Sequence, residues 1–171
     1  MLALIHPAFE FKDDFLAMVQ EYRAKSEYYV YHDLAKRDFQ AYLDQCTAYE
    51  QGINLAPGYV PQTTFWLVED MHTIVAESRL RHHLTPELEI KGGHIGYAVR
   101  PSKRLKGMGT EILRQTLPKA AAMGLSKVLL TCDADNLGSQ KIILANGGVF
   151  DGENIAPDTQ KLVYRYWIDL T

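Results

Sequence analysis

The spacing of apolar residues changes several times along the chain, and each change marks an element. Leu2 to His6 is a short apolar run that reads as a strand. Phe15, Met18, Val19 and Tyr22 recur every three or four residues, the stripe of an amphipathic helix, and Phe39, Tyr42, Leu43 and Cys46 repeat it in a second helix. Gly52 to Gln62, punctuated by Pro57, Gly58 and Pro61, is loop. Three strand-like runs follow, "TFWLVED", "TIVAESRLRHH" and "GGHIGYAVR". Asp70 and Met71 fit a tight hairpin between the first two, and "LTPELEIKGG" forms a longer turn before the third.

Beyond Gly107 the period returns to that of a helix, through Ile112, Leu113, Thr116, Leu117 and Ala120, with Gly124 where a C-terminal cap belongs. Pro118 lies inside this helix and predicts a kink. "KVLLTCD" is an apolar strand of the kind buried on both faces. "NLGSQKIILANGG" is a short helix with Asn136 near its start and Gly147 past its end, and "KLVYRYWIDL" alternates as a closing strand. Strand, two helices, three strands, helix, strand, helix and two strands make an α/β chain with a mixed central sheet flanked by helices.

A length of 171 residues, 47% of them hydrophobic, suits one globular domain with a real core. No apolar run approaches a membrane span and the start lacks the pattern of a signal peptide, which points to the cytoplasm. Cys46 and Cys132 form no metal-type cluster and read as buried, reduced thiols. The net charge of -3 conceals an imbalance: residues 1–70 carry -6 and residues 71–127 carry +6. Either the middle meets an anion and the front a cation, or both are simply solvated faces. A nucleic-acid module would use the basic middle, but no basic-aromatic stretch accompanies it.

Two glycines one residue apart, Gly107 and Gly109, stand among basic residues at the start of the long helix. Glycine admits positive φ and close approach, and a helix's first turn leaves N–H groups unpaired at the positive end of its dipole, so this turn suits a phosphate or diphosphate. It is no P-loop, and Ile112 stands where a dinucleotide fingerprint needs its third glycine. A plain linking turn would use the same residues.

"RLKGMG" matches Arg or Gln, two residues of any kind, Gly, any residue, then Gly or Ala, and so resembles the diphosphate motif of the GCN5-related N-acetyltransferases. "HIGYAVRPSKRLKGMG" and "LLTCDADNLGSQKIILANGGVF" resemble the elements on either side, so the likeness is specific from Gly92 to Phe150 and elsewhere rests on element order. It implies an acetyl-coenzyme A core over residues 92–150, a helical acceptor side over residues 1–62, and one domain over residues 1–171. It further implies that Tyr97, Ala98 and Val99 meet the pantetheine arm and thioester. Leu105, Lys106, Gly107, Met108, Gly109 and Thr110 would wrap the diphosphate, with charge from Arg104, Lys103 and Lys106. Asn136 and Ser139 would touch the co-substrate from the next helix, although Asn136 is equally an N-cap. Leu105 stands where many relatives have glycine.

The implied chemistry is direct transfer in a ternary complex with a primary amine on a small molecule or peptide. Main-chain N–H groups around Ala98 and Val99 could polarise the carbonyl. His94 is the first candidate to accept the amine proton, with Glu77 and His82 as competitors and a structural role as the alternative for His94. His82 and His83, taken as strand neighbours, point to opposite faces, so no metal is expected. Ile143 occupies the place of the family's thiolate-protonating tyrosine, leaving Tyr164, Tyr166 or water for that role. "EYYVYHDL" places Tyr28, Tyr29 and Tyr31 beside Glu27 and Asp33, suited either to an ammonium group or to the core. The acceptor's identity stays open, a homodimer is compatible with the reading, and the alternative function is a non-catalytic acyl-coenzyme A sensor.

Overall fold

A computed structural model describes residues 1–27 and 31–171. The first helical stripe becomes α1 (Lys12–Ala24), in which Phe15, Met18, Val19 and Tyr22 are all buried. α2 (Tyr31–Arg37) is an additional short helix that the apolar spacing does not announce. α3 (Phe39–Glu50) starts cleanly because the Asp38 carboxylate caps it, accepting from the Ala41 N–H at 3.0 Å. Tyr28 and Tyr29 lie outside the described residues.

Among the described residues seven strands form two antiparallel sheets. β1 (Leu2–Ile5), β2 (Gln62–Glu69), β3 (Thr73–Arg81) and β4 (Ile95–Val99) lie in that order, and β5 (Lys127–Asp133), β7 (Leu162–Asp169) and β6 (Val149–Ile155) make the second sheet. Asp70 and Met71 turn the β2–β3 hairpin with φ of 53° and 57°, and the His72 N–H closes the turn on the Glu69 carbonyl at 3.1 Å. "LTPELEIKGG" is more than a turn: it holds the helix α4 (Pro86–Ile90), capped by Thr85. Gly92 and Gly93 belong to the turn rather than to β4. A Cβ on Gly93 would lie 2.4 Å from the Leu129 carbonyl oxygen, so only glycine lets the chain pass there.

The first sheet is packed on both faces. One covers an aromatic cluster in which Phe15 and Trp66 stack at 5.0 Å and Tyr42 and Phe39 join them. The other meets α5 (Met108–Ala122), whose Ile112, Leu113, Thr116 and Ala120 are buried, and Thr116 shares a 2.8 Å hydrogen bond with Ser78 of β3. α5 continues through Pro118 and ends at Met123, with Gly124 behind it at φ 88°. α6 (Leu137–Ala145) opens on Asn136, whose side chain accepts from the Ser139 N–H at 3.0 Å.

The charge imbalance resolves within the fold. Buried Arg100 donates to Asp14 at 2.8 Å and Glu21 at 2.7 Å, and Arg104 forms a two-pronged pair with Glu27. Lys103 bonds Glu69 at 2.5 Å. Acids of α1 and β2 thus meet bases that follow β4, fastening the helical front to the glycine turn.

Candidate active site

No ladder joins β4 to β5. The two sheets meet just ahead of β4, where the His94 N–H donates to the Leu129 carbonyl at 2.7 Å and the Leu129 N–H donates to His94 Nδ1 at 2.9 Å. Past this join the strands part, and a cavity opens that both line, with Gly96, Tyr97, Thr131, Cys132 and Asn136 among its walls. Arg81 N–H donates to the His94 carbonyl and Arg100 N–H to the Val75 carbonyl. The alternation of an antiparallel ladder then aims Ala98 at its partner Glu77 and turns the amides of Tyr97 and Val99 away from β3, towards the gap.

On the α5 side, a cavity of about 580 Å³ runs along Tyr97 to Val99, Arg104 and Leu105, Gly107 to Thr110, and Asn136, Gly138 and Ser139 at the start of α6, with Lys106 outside its lining. Gly107 takes the N-cap position of α5 at φ 78°, and no side chain caps the helix. The first intrahelical bond is Glu111 N–H to the Gly107 carbonyl, so the amides of Met108, Gly109 and Thr110 precede the helix's own bonds and front this cavity. Leu105 is fully exposed at φ 59°. Lys106 reaches back to the Ser102 carbonyl at 3.1 Å. The Tyr97 hydroxyl shares a 2.8 Å hydrogen bond with Ser139 Oγ, and burial pushes it up to about 12, so it stays protonated.

On the opposite face a smaller cavity, about 140 Å³, is lined by Glu77, Arg79, Arg81, Gly96, Tyr97 and Ala98. Glu77 is 3% exposed; its Oε1 accepts from Arg79 at 2.8 Å, and its buried Oε2 has no hydrogen-bond partner among the described residues. Gly96 and Tyr97 line both this cavity and the gap, so the two compartments touch at β4. Among the described residues no three His, Cys, Asp or Glu side chains gather as a metal site.

An open helix N-terminus against a parted strand pair is the arrangement that the sequence motif implies. The family model described as an acetyltransferase (GNAT) domain matches residues 4–149. The chain belongs to the GNAT acetyltransferase family. Its fold is similar to Mycobacterium smegmatis RimJ in complex with CoA-disulfide, with a TM-score of 0.74 at 13% identity over 98% of this chain and 81% of that one. It is similar to the microcin self-immunity acetyltransferase MccE in complex with acetyl-CoA and AMP, at TM-score 0.71, 13% identity and 98% and 92% coverage. A third likeness is a Salmonella typhimurium acetyl transferase that modifies the N-terminal serine of a 50S ribosomal subunit protein, at TM-score 0.69, 14% identity and 98% and 94% coverage. Among curated proteins no sequence match was found.

Within this GNAT chain the three base candidates occupy different settings. His94 is 6% exposed, commits Nδ1 to the sheet join, and is driven down to about 4 by burial, with the Arg81 and His83 charges adding to the effect. His82 sits past the end of β3 in a bend, not on the strand, and shares a 3.0 Å hydrogen bond with Thr63 near Glu50. The opposite-face argument for His82 and His83 therefore does not apply. Glu77 alone of the three lines the cavity beside β4. Ile143 is fully buried in the core beneath α6, and Tyr164 and Tyr166 stand edge-on to Phe150 of β6. The placement of the Tyr97 hydroxyl beside Ser139 was not legible in the sequence, because the motif assigns that strand through its backbone.

Proposed function

We propose that residues 1–171 form one acetyltransferase domain that moves the acetyl group of acetyl-coenzyme A directly to a primary amine in a ternary complex. Residues 92–150 serve the co-substrate and residues 1–62 the acceptor side. The observation that carries the reading is the meeting of two compartments at β4, one fronted by the uncapped α5 N-terminus and the other holding a buried carboxylate oxygen with no hydrogen-bond partner among the described residues. The amides of Met108, Gly109 and Thr110 receive the diphosphate, aided by Arg104 and Lys106, and Asn136 and Ser139 border the same channel. Val99 and Tyr97 present N–H groups along the gap, where the pantetheine arm and thioester would lie.

The amine enters from the other face, and Glu77 Oε2 takes its proton, directly or through one water. The neutral nitrogen attacks the thioester carbon, and a carbon–nitrogen bond forms while the oxyanion is held by a strand amide. The carbon–sulfur bond then breaks, the thiolate takes a proton from the Tyr97 hydroxyl, and the extra proton on the nitrogen passes through solvent to the Tyr97 phenolate, leaving an acetamide and coenzyme A. Tyr97 thereby fills the place that Ile143 vacates. His94, as the join between sheets, sets the gap rather than moving a proton. A non-catalytic sensor would need the diphosphate turn but not a buried carboxylate beside β4, which favours the enzyme. No helix among the described residues is long and apolar enough to cross a membrane, and a reducing cytoplasmic setting suits the unpaired Cys46 and Cys132.

Calorimetric titration with acetyl-coenzyme A, paired with an amine screen that follows free thiol, tests the reading. Binding together with amine-dependent thiol release is expected; tight binding with no turnover for any amine would leave the sensor.

A further inference from the structure

The larger cavity, on the α5 side, carries few charges of its own. Glu27, Arg104 and Lys141 are the charged side chains on its wall, and the first two neutralise one another in their two-pronged pair. Lys103 is engaged by the Glu69 carboxylate and Lys106 by the Ser102 carbonyl, and neither lines the cavity. Lys141 is exposed, and among the described residues it has no hydrogen bond or ion pair. Its place is set by the contact between two helices. Ile142 packs so tightly on the start of α5 that a Cβ on Gly109 would lie 2.4 Å from its Cδ1, and Asn146, one turn further on, donates to the Thr110 carbonyl at 3.2 Å. These contacts hold α6 beside the first turn of α5. Lys141, the neighbour of Ile142, therefore stands on the flank of the amides of Met108, Gly109 and Thr110, and its flexible stem lets the ammonium swing over them.

We infer that Lys141 is a binding residue for a phosphate group of coenzyme A, supplying the full positive charge that the helix amides lack. This rests on the co-substrate site proposed above and adds to it a residue that the glycine motif does not name. The backbone amides offer directed hydrogen bonds and partial charge; an ammonium adds a point charge that follows the phosphate oxygens wherever they settle. Coenzyme A brings two such groups, the diphosphate and the 3′-phosphate of its ribose. Both present the same oxyanion chemistry, and either can lie within the sweep of a lysine on this wall.

The experiment titrates acetyl-coenzyme A and acetyl-dephospho-coenzyme A by calorimetry into the unaltered protein, Lys141→Gln, Lys141→Arg and Lys119→Gln. Lys119 is exposed near the far end of α5 and outside the cavity, so its variant removes the same charge at a distance. Glutamine is a good helix former and the Lys141 side chain is in solvent, so the fold should hold. Lys141→Gln is expected to weaken acetyl-coenzyme A binding roughly threefold to tenfold, the scale of an exposed charge pair, with the loss shrinking as salt is raised. Lys141→Arg should keep the affinity, and Lys119→Gln should leave it unchanged. A loss that persists with the dephospho compound assigns Lys141 to the diphosphate, and one that vanishes assigns it to the 3′-phosphate; either supports the inference. Unchanged affinity in Lys141→Gln, or an equal loss in Lys119→Gln, overturns it. Binding as described with no turnover of any amine overturns the transferase reading and leaves the inference standing. No binding by the unaltered protein overturns both.

Discussion

On the α5 side of β4 the chain presents backbone: the helix amides after Gly107 and the strand amides of Tyr97 and Val99. On the other side it presents side chains, with Glu77, Arg79 and Arg81 all supplied by β3. The difference matches two kinds of ligand. A diphosphate is met by any helix N-terminus of the right shape, so two glycines and a helical pattern suffice to announce it. The side chains of β3 instead owe their placement to strand register, where a shift of one residue would send all three to the opposite face.

The sharpest way to break this contrast is Glu77→Gln. The chemical step should slow by ~10² to 10⁴, the usual loss for a general base, while calorimetry finds acetyl-coenzyme A affinity unchanged. An unaltered turnover would move the base elsewhere.

His94 tests the join that keeps the two sides in register. Its folded-state value of about 4 lies below the ordinary 6.5, so folding favours the neutral ring. The resulting stability is fully present above pH 6.5 and is lost as pH falls towards 4. His94→Gln should flatten that slope in thermal melts followed across this range while keeping most activity at low temperature. A slope that persists in the variant would assign it to other groups, and a general-base loss of rate would return His94 to the chemistry.

Gly107→Val probes the backbone side alone. A β-branched residue at φ 78° is strained by ~1 to 2 kcal/mol in the conformation that opens the amides, so acetyl-coenzyme A should bind on the order of tenfold more weakly. Calorimetry showing the original affinity would separate the turn from the diphosphate. The smallest effect belongs to Leu105→Gly. The leucine sits at φ 59° with its side chain in solvent, so glycine removes strain without removing packing. The greater freedom of glycine in the unfolded chain offsets part of this, leaving a gain below about 1 kcal/mol, visible as a slightly higher Tm.

The elements were largely legible because long stripes such as Phe15–Met18–Val19–Tyr22 and punctuation such as Gly124 and Asn136 are local signals. What local signals missed were short pieces held by tertiary packing: α2, and α4 inside a segment read as a turn. The split into two sheets was hidden for a different reason. His94 reads as a chemical residue in sequence, and only the fold reveals that its ring and amide both bond Leu129, 35 residues away. Glu77 entered as a competitor to His94; its cavity, its Arg79 partner and its unpaired oxygen come from strand pairing that composition cannot supply.

The two-pronged pair between Arg104 and Glu27 carries a thermodynamic consequence. Glu27 follows α1 on the helical front, while Arg104 enters the glycine turn and also donates to the Val99 carbonyl at 3.1 Å. A guanidinium already satisfied by a carboxylate offers a second anion less than an unclaimed one would. Whatever a diphosphate drew from Arg104 would therefore be subtracted from the tie to Glu27, which lines the same cavity. Linkage makes the exchange reciprocal: an event that pulls Glu27 away leaves Arg104 better disposed towards phosphate by the same free energy.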